Sequence, residues 1–124
     1  MNKTDICIWN RKFTLPVFVE EYDDLDSTAV QEDALKFFLK DKGASDVAID
    51  SVAEYICKQH PELKDAHPAD NLFRYVMPKS IFIARSEQRV VAILCDYKFD
   101  MEHGIAIVFE NEKLKEIGPQ DIIL

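Results

Sequence analysis

The apolar positions of this chain change period twice along its length. Ile6–Trp9 reads as a short strand, Asn10-Arg11 as a tight turn and Phe13–Val19 as a second strand. Pro16 cannot donate to a ladder, so its strand is expected at an edge or a bulge. From residue 28 the pattern becomes helical. Thr28-Ala29-Val30-Gln31 fits a capping box, and Val30, Ala34, Phe37 and Phe38 recur at helical spacing. A first helix is expected from Ala29 to Lys42, with Gly43 as its C-cap. A second starts at Ser45 on the apolar set Ala48, Ile49, Val52, Ala53 and Ile56, and Pro61 ends it. Residues 60–69 form a polar connector, and a short third helix from Asn71 to Val76 follows Asp70.

The last third returns to strand period. Ser80–Arg85, Arg89–Tyr97, Ile105–Phe109 and Leu114–Ile117 are separated by short turns, which require antiparallel pairing. Arg89–Tyr97 is apolar on both faces and is expected in the middle of the sheet. The fold class is therefore α+β: a mainly antiparallel sheet, built from an N-terminal strand pair and a C-terminal four-strand meander, with two or three helices on one face. No long linker divides the 124 residues, so the chain reads as one domain over 1–124.

Composition narrows the function. The chain carries 23 acids against 15 bases, a formal net charge of −8. Such a protein is repelled by a phosphate backbone, which argues against nucleic acid and toward a basic protein partner. No apolar run approaches the length of a membrane span, and the N-terminal residues lack a secretory pattern. Cys7, Cys57 and Cys95 fit no disulfide or zinc spacing, so they are expected as buried, reduced thiols of a cytoplasmic protein.

The charge is segregated. Between Phe13 and Leu35 there are seven acids, Glu20, Glu21, Asp23, Asp24, Asp26, Glu32 and Asp33, and no Lys or Arg. Asp46, Asp50 and Glu54 follow at i, i+4, i+8, on one helical stripe. These acids either form a solvated face suited to helix N-termini or dock a basic protein. Asp23-Asp24-Asp26 lacks the downstream Glu and spacing of a calcium loop.

The densest reactive cluster is Asp96, Asp100, Glu102 and His103, around the Phe99–Gly104 hairpin. Carboxylates and an imidazole can hold a metal or perform acid–base work, yet Asp and Gly are also what a turn of this length needs for its geometry. His60, Asp65 and His67 lie in a loop that gives them no rigid frame. There is no nucleophile elbow, phosphate-cradling glycine loop or Cys-x-x-Cys. The sequence thus assigns no catalytic residue, no metal ligand and no cofactor. Trp9, Phe13 and Phe18 are read as core.

The run Cys95–Ile107, with Glu102-His103-Gly104 inside it, followed by Glu116–Ile122 with Gly118 and Asp121, resembles a group of small bacterial domains of unknown function. Some of these are grouped with immunity proteins of polymorphic-toxin systems. The resemblance covers about a quarter of the chain and places its shared residues at Glu102, His103, Gly104, Gly118 and Asp121. It implies a polar tie between the hairpin and the chain end, for instance His103 to Asp121. It also implies a non-enzymatic protein-binding role, an immunity protein whose acids contact a basic toxin. The alternatives are a small metal- or ligand-binding domain, even a hydrolase, centred on residues 96–104, or an accessory domain that forms a homodimer through its sheet edge.

Overall fold

The computed structural model describes residues 2–21, 28–41 and 43–124. Six strands form one sheet in sequence order: β1 (Asn2–Ile8), β2 (Arg11–Val19), β3 (Val76–Ile83), β4 (Val90–Tyr97), β5 (Ile105–Glu110) and β6 (Lys113–Gly118). Every neighbouring pair is antiparallel except β2 and β3, which run parallel. That pair brackets the helical block, α1 (Ala29–Lys40) and α2 (Ile49–Gln59), as a crossover connection does. The α+β expectation holds.

Local chemistry explains the elements. Thr28 Oγ1 accepts from the Gln31 amide at 3.1 Å, and Gln31 Oε1 accepts from the Thr28 amide at 2.9 Å, so the capping box is formed. The same Gln31 is buried and donates from Nε2 to the Glu20 carbonyl at 2.6 Å, which binds the end of β2 to the start of α1. Gly43 is not the cap of α1: the C-cap is Asp41, whose amide reaches the Phe37 carbonyl. Lys42 lies outside the described residues.

The first turn is displaced by one residue from its expected place. Trp9 and Asn10, not Asn10 and Arg11, connect β1 to β2, with φ of 49° and 65°. Positive φ at both central residues is the geometry whose twist matches a hairpin. A tryptophan accepts it because its ring is held elsewhere: Nε1 donates to the Ser45 carbonyl at 3.0 Å, and the ring lies 5.4 Å from Phe73. Asn111 and Glu112, with φ of 50° and 66°, repeat this turn between β5 and β6.

Pro16 sits in an internal strand rather than on an edge, yet no ladder bond is lost. Counting from Ile8↔Arg11 beside the two-residue turn, Pro16↔Lys3 is a non-bonded pair, so the ring nitrogen of Pro16 faces β3. The β3 pairing begins only at Val17. Val76 opens β3 rather than closing a third helix, Met77–Lys79 ahead of the expected strand start at Ser80 also belong to that strand, and the expected helix is a single 3-10 turn at Leu72–Arg74. Pro78 disguised the strand. It is accommodated where β2 does not reach, beside a bulge at Lys79.

Both faces of the sheet centre are covered. On one, Ala34, Phe38, Val52 and Ile56 of the helices pack on Ile81, Ile93, Ile107 and Phe109. On the other, Phe82, Ala92, Leu94, Ala106 and Val108 are buried with Ile122 and Ile123 of the chain end packed against them. The expected central position of β4 follows from that double burial.

Candidate functional site

The hairpin joining β4 to β5 brings together part of what the sequence proposed. His103 Nδ1 meets Asp100 Oδ2 at 3.0 Å, and the His103 amide donates to Asp100 Oδ1 at 3.1 Å. Asp96 instead faces Lys79 at 3.8 Å, and Glu102 is exposed. The side chains of Asp100 and His103 are 42% and 52% exposed, so this is a solvated turn rather than a pocket. Among the described residues no group of three or more His, Cys, Asp or Glu is arranged to hold a metal ion.

The pair tunes its own titration. Hydrogen bonds from His103, its backbone amide first, hold the Asp100 carboxyl below the usual range. The Asp100 carboxylate raises the His103 imidazole, first by hydrogen bonding and then by charge. The Asp100 contribution to stability is present above the ordinary carboxylate range and fades as pH falls through its lowered value. The His103 contribution is present below the ordinary imidazole range and fades as pH rises through its raised value. The pair therefore stabilises most between the two titrations. An NMR titration is expected to place the His103 ring above about 6.5. Asp100→Asn should bring it down, and an unchanged ring titration in that variant would show that Asp100 is not the cause.

The hairpin is tied to the chain end, but not by His103 and Asp121. The tie runs through Gln120. Its amide donates to the His103 carbonyl at 3.0 Å, and its Nε2 donates to the Cys95 carbonyl at 3.1 Å. Gly104, at φ 59°, lies so close that an added Cβ would meet Cys95 O at 2.4 Å and Gln120 Nε2 at 2.5 Å. A Cβ on Gly118 would meet Ile122 at 3.1 Å. Gly104 and Gly118 thus leave the space in which the C-terminal segment seats on the sheet. Gln120→Ala removes a part-buried bond worth about 1 kcal/mol, so it should lower the melting temperature by about 3–5 °C. His103→Ala, which spares the His103 carbonyl, should lower it less, and the reverse order would restore the imidazole as the anchor.

The acids fall into separate groups. Glu20 is half-buried, and its Oε1 accepts from the Arg85 amide at 2.8 Å, so it serves the fold. Glu21, Glu32 and Asp33 are exposed around the start of α1. Asp23, Asp24 and Asp26 lie outside the described residues. Asp46, Asp50 and Glu54 are exposed on a separate helical segment, where Glu54 pairs with Lys58 at 3.1 Å.

Further side-chain contacts were not singled out from sequence. Arg89 forms a two-pronged bond to Glu112, at 2.9 and 3.1 Å, with its guanidinium 4.7 Å from the Phe37 ring centre. Glu112 holds that guanidinium above its usual pKa. Tyr97 donates to Gln59 at 2.8 Å, and burial, then Tyr55 and Asp100, push its phenol up to about 12. The i, i+3 capping pattern flags Gln31 as a cap but not its bond to the Glu20 carbonyl, and nothing local flags Arg89 or Gln120. Of the cysteines, Cys95 is buried, which raises its thiol pKa, but Cys57 is half-buried and Cys7 exposed, against the expectation of three buried thiols. Cys7 lies on β1 between two clefts and has solvent on its side. His60 lies 4.0 Å from the Phe99 ring and 3.3 Å from Glu62, while His67 is exposed with φ 48°.

Fold and site together define a small α+β domain whose exposed polar groups serve turns and surfaces. Residues 2–124 match the family described as "Domain of unknown function (DUF6985)", and the chain belongs to that family. No curated protein and no solved structure matches it. Among the described residues no helix is long and apolar enough to cross a membrane.

Proposed function

We propose that the chain is a non-enzymatic protein-binding domain that engages a basic protein through the acids around α1, in the manner of a cytoplasmic immunity protein neutralising a toxin. The observation that carries this reading is the segregation of charge: seven acids and no Lys or Arg between Phe13 and Leu35. Glu21, Glu32 and Asp33 are exposed there. Such a surface steers a cationic partner into contact and disfavours anionic ones. Asp46, Asp50 and Glu54 extend the acidic character of the surface as a secondary group. The Asp100–His103 pair supports a structural part for the hairpin, because each group meets the other rather than converging on a cleft.

The test begins with capture from a lysate of the native organism at low and high salt, followed by kinetics with the recovered basic protein. Replacing Glu21, Asp23, Asp24, Asp26, Glu32 and Asp33 by their amides should slow association about tenfold or more and flatten its salt dependence. Circular dichroism and the melting temperature check that the variant is folded; at the exposed Glu21, Glu32 and Asp33 such substitutions change stability little. Unchanged association kinetics in the amide variant would refute the acidic surface as the contact.

A further inference from the structure

We infer that β1 is a self-complementary sheet edge through which two copies of this chain pair, in a register set by Lys3 and Asp5. This does not depend on the acids around α1.

The sheet has two outer strands, and they are not alike. On β6 the register slips, with Phe109 opposite Leu114 but Val108 opposite Glu116, so Lys115 is an extra residue. Lys113 and Lys115 are exposed there. A bulge is one of the usual devices that stop an edge from recruiting another strand; exposed lysine is another, but β1 carries Lys3 too, so the bulge is what separates the two edges. β1 has no such interruption. It pairs with β2 without a slip from Asn2 to Ile8.

The outward groups of β1 follow from its register. Ile8↔Arg11 closes a two-residue turn, so the residues at 8, 6, 4 and 2 point their amides and carbonyls at β2. Lys3, Asp5 and Cys7 point theirs away from it. The Cys7 carbonyl confirms that direction, since it accepts from Ser45 Oγ at 3.4 Å, outside the β1–β2 ladder. That contact also marks where the open edge stops. Lys3 and Asp5 remain as the outward-facing run, and both side chains are exposed. A cleft of about 360 Å³ between β1 and the end of α1, lined by Ile6, Phe38, Leu39 and Asp41 among others, leaves room beside the strand.

Charge then selects the occupant and the register. An antiparallel second copy centred on Thr4 sets Lys3 opposite the partner's Asp5, and Asp5 opposite the partner's Lys3. Both are hydrogen-bonded pairs with opposite charges on one face, and Thr4 faces the partner's Thr4 in the closer, non-bonded pair. The competing registers are poorer. Centring on Asp5 opposes like charges, and centring on Ile6 needs the carbonyl that Ser45 already engages. The symmetry is isologous, so the assembly closes at two copies.

The test uses the full chain in sedimentation at low and high micromolar concentration. The wild-type chain should shift from monomer toward dimer as concentration rises. Lys3→Asp alone creates acid–acid pairs and Asp5→Lys alone creates base–base pairs, so each should weaken self-association about tenfold or more. An equimolar mixture of these two variants should dimerise again, because every cross-strand pair is then opposite in charge. Circular dichroism checks that both variants are folded, and the doubly exchanged Lys3→Asp, Asp5→Lys chain, which should dimerise alone, gives the same readout if one single variant is not. A wild-type chain that stays monomeric, single variants that dimerise like wild type, or failure of both the mixture and the double exchange to recover would each overturn the proposal.

Discussion

Gly104→Ala is expected to lower the melting temperature by about 10 °C or more, equivalent to about 3 kcal/mol in a domain of this size. Two costs combine. A side chain at φ 59° carries the left-handed penalty, about 1 kcal/mol. The new Cβ would also sit 2.4 Å from the carbonyl oxygen of Cys95, which is backbone of a central strand and cannot swing aside. Its second neighbour, Gln120 Nε2, can move, but only by giving up the bond that holds the chain end to that same carbonyl. The loss should therefore extend to the C-terminal segment, where amide exchange at Gln120–Leu124 should accelerate. Gly118→Ala is the informative comparison. Its added Cβ meets only the side chain of Ile122, at 3.1 Å, so its effect should be smaller. A Gly104→Ala protein that melts within a degree or two of wild type would mean that the hairpin relaxes freely and the tie is not a constraint.

Trp9→Ala should be comparably severe, costing about 4 kcal/mol in urea unfolding. Trp9 is 8% exposed and joins elements remote in sequence, because its indole donates to the carbonyl of Ser45, 36 residues away, and its ring packs on Phe73. Truncation removes the ring's buried area and one of two donors on the Ser45 carbonyl, which keeps its bond from the Ala48 amide at 3.2 Å. Trp9→Phe separates these contributions. It keeps most of the ring and loses the bond, so it should cost about 1–2 kcal/mol. Equal losses in the two variants would assign the whole effect to the hydrogen bond rather than to packing.

Much of the architecture was legible because it depends on short-range pattern. The capping box at Thr28 and Gln31, the apolar stripe of α2 and the double-faced hydrophobicity of β4 all express local periodicity. Where the reading failed, one residue masked the pattern. Pro78 hid the first half of β3, since the bulge that accommodates it is visible only in the pairing with β4. The one-residue displacement of the first turn has a similar origin. A tryptophan at φ 49° is unfavourable locally and is held there by Ser45 and Phe73.

The candidate site divides along the same line. Asp100 and His103 are three residues apart in one turn, and their contact could be foreseen from that spacing. The tie to the chain end was anticipated between the correct segments but through the wrong atoms. It uses the backbone of His103 and the side chain of Gln120, and no pattern of side-chain chemistry reports a backbone carbonyl.

The sequence by itself determined the α+β class, the two strand blocks around a helical block, the helix start at Thr28 and the segregation of acids. These rest on periodicity, caps and charge within a few residues of each other. Only the tertiary structure decided that β2 and β3 run parallel and join the blocks into one sheet, that Gln120 rather than Asp121 anchors the chain end, and that β1 is left as the regular edge. Each of those depends on groups brought together across tens of residues, where the free energy of packing and of satisfying buried backbone groups selects among arrangements that local pattern leaves equivalent.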